Sequence, residues 1–259
     1  MNVRSWLKKT KDIIPSLDAE LILAHVLGVD RVFFVSHDLD ELTSEQEFAA
    51  DELVKKRANR MPLAYLTNYK EFYGRGFFVN ENVLIPRPET ETIIDLAKEL
   101  SPKSILEIGT GSGCIAITTK LELPDTKVRA VDISEAALAV ARHNAVRLEA
   151  KLDELKLSDL LSNISLDDTD LVIANLPYVD KNWDFLSPEL AYEPEQALFA
   201  NDNGLALIKK LILDLEAKDY HGYLMLESDP SEQPAVIDFA GQHGAKHQKT
   251  ADFITLFKY

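Results

Sequence analysis

The 259-residue sequence holds a single cysteine, Cys114. One thiol cannot close an internal disulfide, so the chain suits a reducing compartment. No uninterrupted apolar run approaches the roughly 20 residues that a membrane-spanning helix requires. Met1 to Gly28 mixes charged and apolar side chains without the apolar core of a secretory leader, and a cytoplasmic location is expected. The six histidines, His25, His37, His143, His221, His243 and His247, have no ligand spacing with Cys114, so no metal is expected. Positive charge is scarce: 28 lysines and arginines stand against 43 acidic residues, for a formal net charge of −15. Such a body lacks the cationic footprint that grips a phosphate backbone, and tight binding of naked nucleic acid is not expected. What remains is ordinary globular composition, 46% hydrophobic and 27% charged, enough for one large domain with a small companion.

The charge is uneven along the chain. Residues 1–74 carry 12 acids and 10 bases, whereas residues 75–259 carry 31 and 18. The first 60 or so residues read as helices. Leu21, Leu23, Val26 and Leu27 follow helical spacing up to Gly28, and Ser44-Glu45-Gln46-Glu47 reads as a capping box opening a further helix. We therefore expect a helical domain over 1–62. An aromatic stretch with Gly74 and Gly76 between its rings predicts a hairpin connector over 63–87. The remainder, 88–259, alternates short apolar strands with helices: Ser104–Ile108, Lys127–Asp132, Asp170–Ala174 and Gly222–Glu227 read as strands, followed by two strands in the tail. That alternation predicts an α/β fold with a mostly parallel sheet covered on both faces.

Strand Ser104–Ile108 runs straight into Gly109-Thr110-Gly111-Ser112-Gly113 and then a helix. Glycines there permit a sharp turn and close approach of a ligand to the backbone, and the helix start adds unpaired N–H groups. The next strand ends in Asp132, whose carboxylate suits the two hydroxyls of a ribose. The spacing departs from the nicotinamide G-x-G-x-x-G pattern, since Cys114 stands where its third glycine would fall. Glu107, two residues before Gly109, completes an acid-x-G-x-G-x-G pattern. It resembles the first motif of class I S-adenosylmethionine-dependent methyltransferases, in which the acid faces the cationic methionine end of the cofactor.

The strand ending at Ala174 leads into Asn175-Leu176-Pro177-Tyr178. A planar amide or amine nitrogen is a poor nucleophile because its lone pair is delocalised. The Asn175 side-chain oxygen and the Leu176 carbonyl can each accept one of its N–H bonds and turn the lone pair toward a methyl donor. Pro177 stiffens the loop, and Tyr178 offers a ring face for a planar group.

This tetrapeptide resembles the [N/D]-P-P-[Y/F] motif of methyltransferases acting on planar nitrogens. Arg60-x-Pro62-x-x-Tyr65-Leu66, Leu84-Ile85-Pro86-Arg87-Pro88-Glu89-Thr90-Glu91, Glu193-Pro194 with Ala197-Leu198, and Asp202-x-Gly204-Leu205 resemble the signatures of one family. It comprises the peptide chain release factor N(5)-glutamine methyltransferases of the HemK/PrmC type, and the resemblance covers essentially the whole chain. It implies a doubly wound seven-stranded Rossmann-like sheet with a reversed last strand, behind a small N-terminal helical domain that docks the partner. It implies methyl transfer from S-adenosyl-L-methionine to the G-G-Q glutamine of a release factor. The cofactor residues so implied are Glu107, Gly109, Thr110, Gly111, Ser112, Gly113, Asp132, Asp159, Leu160 and Asn175. Asn175, Leu176, Pro177 and Tyr178 are implied at the acceptor.

Three departures stand out. Leu176 replaces the family's proline but keeps its carbonyl, Glu107 replaces the commoner aspartate, and Glu227 to Gln233 replaces a late E-x-G-x-x-Q. The N-L-P-Y spelling also occurs in rRNA adenine dimethyltransferases. A nucleic-acid adenine methyltransferase therefore stays open as an alternative, as does a catalytically silent S-adenosylmethionine-binding protein.

Overall fold

The computed structural model describes residues 1–181, 183 and 187–259. They form two compact units: Met1–Tyr69 with Ser187–Tyr192, and Lys70–Leu186 with Glu193–Tyr259.

The smaller unit is helical, with α1 (Val3–Thr10), α2 (Ser16–Leu27), α3 (Phe34–His37), α4 (Ser44–Ala58) and α5 (Leu63–Thr67). Trp6, Ile22, Leu23, Ala50 and Val54 make its core. The buried stripe of α2 runs through Ala19, Ile22 and Leu23, while Leu21 is only partly covered. Gly28 ends the helix in the left-handed region at φ 66°. The capping box lies one residue earlier than expected: the Thr43 hydroxyl accepts from the Gln46 backbone N–H, and the Gln46 Oε1 accepts from the Thr43 backbone N–H. Thr43 keeps the extended backbone a cap requires. The remote segment Ser187–Tyr192 joins this unit, its Glu189 paired with Arg57 and Arg60.

The larger unit starts with a two-stranded hairpin, β1 (Lys70–Phe72) and β2 (Arg75–Phe77). Tyr73 and Gly74 both have positive φ, the requirement of a two-residue hairpin turn twisted with its strands. The segment 63–87 is therefore no separate connector. Leu63–Thr67 belongs to the helical unit, and the hairpin buries Phe72 and Phe77 in the core of the larger one.

The main sheet has seven strands: β3 (Ser104–Ile108), β4 (Lys127–Asp132), β5 (Glu154–Leu157), β6 (Leu171–Ala174), β7 (Tyr223–Glu227), β8 (Lys246–Ala251) and β9 (Ile254–Lys258). Their order is β5-β4-β3-β6-β7-β9-β8, parallel from β5 to β7, with β9 antiparallel between β7 and β8. The reversed last strand and doubly wound order match the α/β expectation. Helices α6 (Thr92–Leu100), α7 (Cys114–Glu122), α8 (Glu135–Arg147), α9 (Glu195–Leu198), α10 (Ala206–Ala217) and α11 (Gln233–Gln242) belong to the same unit. Two apolar clusters form the core, one around Ile105, Ile173 and Met225, the other around Leu106, Val172 and Leu224. These residues alternate along β3, β6 and β7, as the two faces of a pleated sheet require.

Candidate active site

The chain order reverses between β3 and β6, both parallel neighbours in the centre of the sheet, which opens a crevice at their carboxyl ends. Into it fall the glycine loop after β3, Asp132 at the end of β4 and the tetrapeptide after β6. They line a cavity of about 1000 Å³ of empty space, counting its open mouth. Its walls include Glu107, Gly109, Thr110, Gly111, Ser112, Asp132, Asp159, Leu160, Asn175, Leu176 and Pro177.

The loop is held by its neighbours. Gly109, Gly111 and Gly113 all have positive φ, at 75°, 54° and 81°. Gly109 and Thr110 donate to the Val131 carbonyl at 2.8 and 3.0 Å, tying the loop to β4. Above Gly111 there is open space where a Cβ would stand, so the backbone is bare toward the cavity. Gly113 is different. It is not on the cavity wall; a Cβ there would press on Ile117 and the Ala141 backbone, so this glycine serves close packing of α7 on α8.

Two buried carboxyl groups flank the loop. The Glu107 Oε2 accepts from Thr110 Oγ1 at 2.6 Å and Ala116 N at 3.0 Å. Burial pushes it up to about 8, against the pull of those two donors. Asp132 accepts from Gly111 N and Ser134 N, both at 2.8 Å. Burial raises its pKa as well, opposed by the backbone donors. Each oxygen of Asp132 accepts one of these two bonds and keeps lone-pair capacity for hydroxyl groups of a ligand.

The tetrapeptide is fixed from behind. Asn175 donates from Nδ2 to Thr90 Oγ1 at 3.3 Å, which leaves its Oδ1 for other donors. Tyr178 turns its hydroxyl inward to Glu227 Oε1 at 3.2 Å and packs on the core. The cavity wall therefore takes in Asn175, Leu176 and Pro177 but not Tyr178, because a largely buried phenol needs an internal partner. Asp159 pairs with Lys210 at the cavity rim, and Leu160, at φ 46°, is buried and lines the wall.

Four residues matter that sequence reading did not single out as site residues. Glu193, buried, accepts from Ile85 N at 2.9 Å and Arg87 Nη2 at 2.6 Å, and so clamps the Pro86-Arg87 wall. Asn144, fully buried on α8, joins the hairpin exit at Phe78 to the Ser112 carbonyl of the glycine loop. Thr90 and Glu227 back the tetrapeptide. Glu193, Thr90 and Glu227 lie within the signature segments, but nothing local in the sequence pairs them with their partners.

Residues 2–67 match the family of the PrmC N-terminal domain, and residues 90–198 match the Methyltransferase small domain. The chain is 43% identical over 204 residues to a release factor glutamine methyltransferase of Koribacter versatilis (strain Ellin345), covering 76% of this chain and 72% of that protein. A protein of the same name from Neisseria gonorrhoeae is 35% identical over 249 residues, covering 94% and 90%. That of Escherichia coli K12 is 33% identical over 256 residues, covering 94% and 92%. Among solved structures, a methyltransferase from Pyrococcus furiosus shares the fold with a TM-score of 0.55 at 16% identity, covering 79% of this chain and 98% of its own. The fold, the crevice and these relatives agree, and the chain belongs to the release factor glutamine methyltransferase family.

Proposed function

We propose that this protein transfers a methyl group from S-adenosyl-L-methionine to the side-chain amide nitrogen of the G-G-Q glutamine of a peptide chain release factor. The cavity suits that cofactor. It combines a bare glycine backbone at Gly111, a ribose-type acceptor at Asp132, an acid at Glu107 and apolar walls from Ile133, Ala137 and Leu160. S-adenosylmethionine carries no phosphate, so buried carboxyl groups beside the loop do not oppose it. When bound it supplies an electrophilic methyl group.

The chain's own residues then act on the acceptor. The Asn175 Oδ1 and the Leu176 carbonyl accept its two N–H bonds and turn its lone pair toward the methyl donor. Leu176 keeps this carbonyl although the family has proline there. Pro177 holds the loop, Tyr178 anchors it through Glu227, and Glu193 keeps the Pro86-Arg87 wall in place. The observation that carries the reading is the placement of Asn175, Leu176 and Pro177 on the same cavity wall as the glycine loop and Asp132. The helical unit, the match to the PrmC N-terminal domain, is assigned to docking the release factor. The formal net charge of −15 supports a protein acceptor over a nucleic acid.

The test uses labelled S-adenosylmethionine with purified release factor and with its G-G-Q glutamine-to-alanine form. Label entering the first and not the second is expected. Label entering both would move the acceptor elsewhere, and label entering oligonucleotides instead would favour the adenine reading. Cofactor binding without any transfer would identify a silent binding protein.

A further inference from the structure

Two carboxyl groups lie buried on the same face of the sheet, one on each side of Asn175. Glu107 pairs with Ile173 across β3 and β6, and Ile173 pairs with Met225 across β6 and β7. Two residues further along their strands stand Asn175 and Glu227. Glu107 has Thr110 and Ala116 as partners, and its place is explained by the glycine loop. Glu227 has no such explanation. It is 1% exposed, takes one bond from Tyr178, and its Oε2 has no hydrogen-bond partner among the described residues. An unsatisfied buried carboxyl oxygen destabilises a fold, and its retention calls for a role.

The side chain against it supplies one. An asparagine amide has two ends of nearly equal size, and only its neighbours decide which end faces outward. Asn175 has to present Oδ1, because a nitrogen there would repel the acceptor's N–H groups. Thr90 does not settle this, since a hydroxyl both donates and accepts. An ionised carboxylate only accepts. Tyr178 donates to Glu227, while Thr90, which accepts from the Asn175 Nδ2, and Asn175 itself are the other polar side chains that act on this carboxyl group. A carboxylate beside them favours the end that donates, so that Asn175 keeps Nδ2 inward, where it meets Thr90, and Oδ1 toward the cavity.

We propose that Glu227 is a positioning residue which, through its carboxylate, selects the amide orientation of Asn175 that binds the acceptor nitrogen. The proposal rests on the reading of Asn175 as the acceptor-orienting residue. Burial pushes Glu227 up to about 7, against the pull of the neighbouring Thr90, Tyr178 and Asn175 and with the nearby Glu89 carboxylate adding to the rise.

Glu227→Gln keeps the shape and loses the selection, because an amide accepts and donates alike. The rate of methyl transfer to release factor is expected to fall about 10- to 100-fold, mostly in kcat, with cofactor affinity little changed. Glu227→Asp, still acceptor-only, should retain more activity than Glu227→Gln. In an Asn175→Ala background Glu227→Gln should add little, since the group it orients is gone. Wild-type rates in Glu227→Gln, or a full additional loss in the Asn175→Ala background, would overturn the proposal. A readout without turnover covers poor folding of the variants and failure of the functional reading. In the wild-type protein, the side-chain amide protons of Asn175 should shift in NMR spectra as Glu227 titrates. Amide protons that stay unmoved from pH 5 to 9 would overturn it equally, whether or not release factor is methylated.

Discussion

A Cβ on Gly204 would fall on the backbone carbonyl of Tyr178, so the segment before α10 and the tetrapeptide Asn175-Leu176-Pro177-Tyr178 meet at a point only glycine can occupy. Gly204 also has φ 87°, a conformation that an L side chain rarely adopts. Gly204→Ala should push the tetrapeptide off its seat. We expect methyl transfer to fall at least about tenfold, since displacement by roughly 1 Å of a loop proposed to orient the acceptor is costly. The protein should also melt earlier, by about 1–3 kcal/mol of lost stability. A steady-state assay and a thermal melt check this, and unchanged values in both would show that the contact is dispensable.

Asn175→Ala removes one oriented acceptor from the cavity wall. Turnover should drop by about 10²–10³, with cofactor affinity changed much less. Methylation of release factor that persists in this variant would remove the tetrapeptide from the reacting end. Leu176→Pro should leave activity intact or raise it, because the backbone carbonyl survives the change.

Asp132→Ala withdraws the proposed ribose acceptor and also the partner of Gly111 N. Cofactor affinity measured by calorimetry should weaken by about 1.5–3 kcal/mol, the range for a hydrogen bond to a charged group. Unaltered affinity in a folded Asp132→Ala protein would place the ribose elsewhere.

Two of the buried glutamates, Glu107 and Glu227, make stability depend on pH. Burial raises Glu107 to about 8 and Glu227 to about 7 from the ordinary 4.5. Between about pH 4.5 and 8 the folded protein therefore holds protons that the unfolded chain has released, and stability falls as pH rises. We expect the melting temperature of the cofactor-free protein to decline from pH 5 to 8. Glu107→Gln should flatten the decline up to its alkaline end, and Glu227→Gln should remove the share complete by about pH 7. A melting temperature that climbs over this range would show that these groups ionise freely.

What the sequence displays well is what is local. Ser104–Ile108, the glycine loop, Asp132 and the Asn175–Tyr178 run each sit at the end of an apolar strand, so their common edge follows from the parallel order. What it hides is of two kinds. Strand β5 is half-exposed and polar at alternate positions, and its flank reads as solvated surface; only pairing with β4 makes it a strand. The supports of the site are long-range: Asn144 reaches Phe78, Glu193 reaches Arg87, and Asn175 reaches Thr90, each across more than sixty residues. The hairpin was legible as a hairpin, but its allegiance was not, because aromatic rings report burial without saying in which core.

The membership of Ser187–Tyr192 in the helical unit bears on how the chain is made. Arg57, bonded to Asp18 at 2.6 Å, also meets Glu189, and Tyr192 donates its hydroxyl to the Asn59 carbonyl. On the ribosome the amino-terminal helices emerge first and can collapse around Trp6 and Leu23. The pairs of Arg57 and Arg60 with Glu189 and this last hydroxyl bond, however, wait until residues 189–192 have been translated, after the whole of β3 to β6 and the tetrapeptide. A fragment cut at residue 69 lacks the segment that completes this unit.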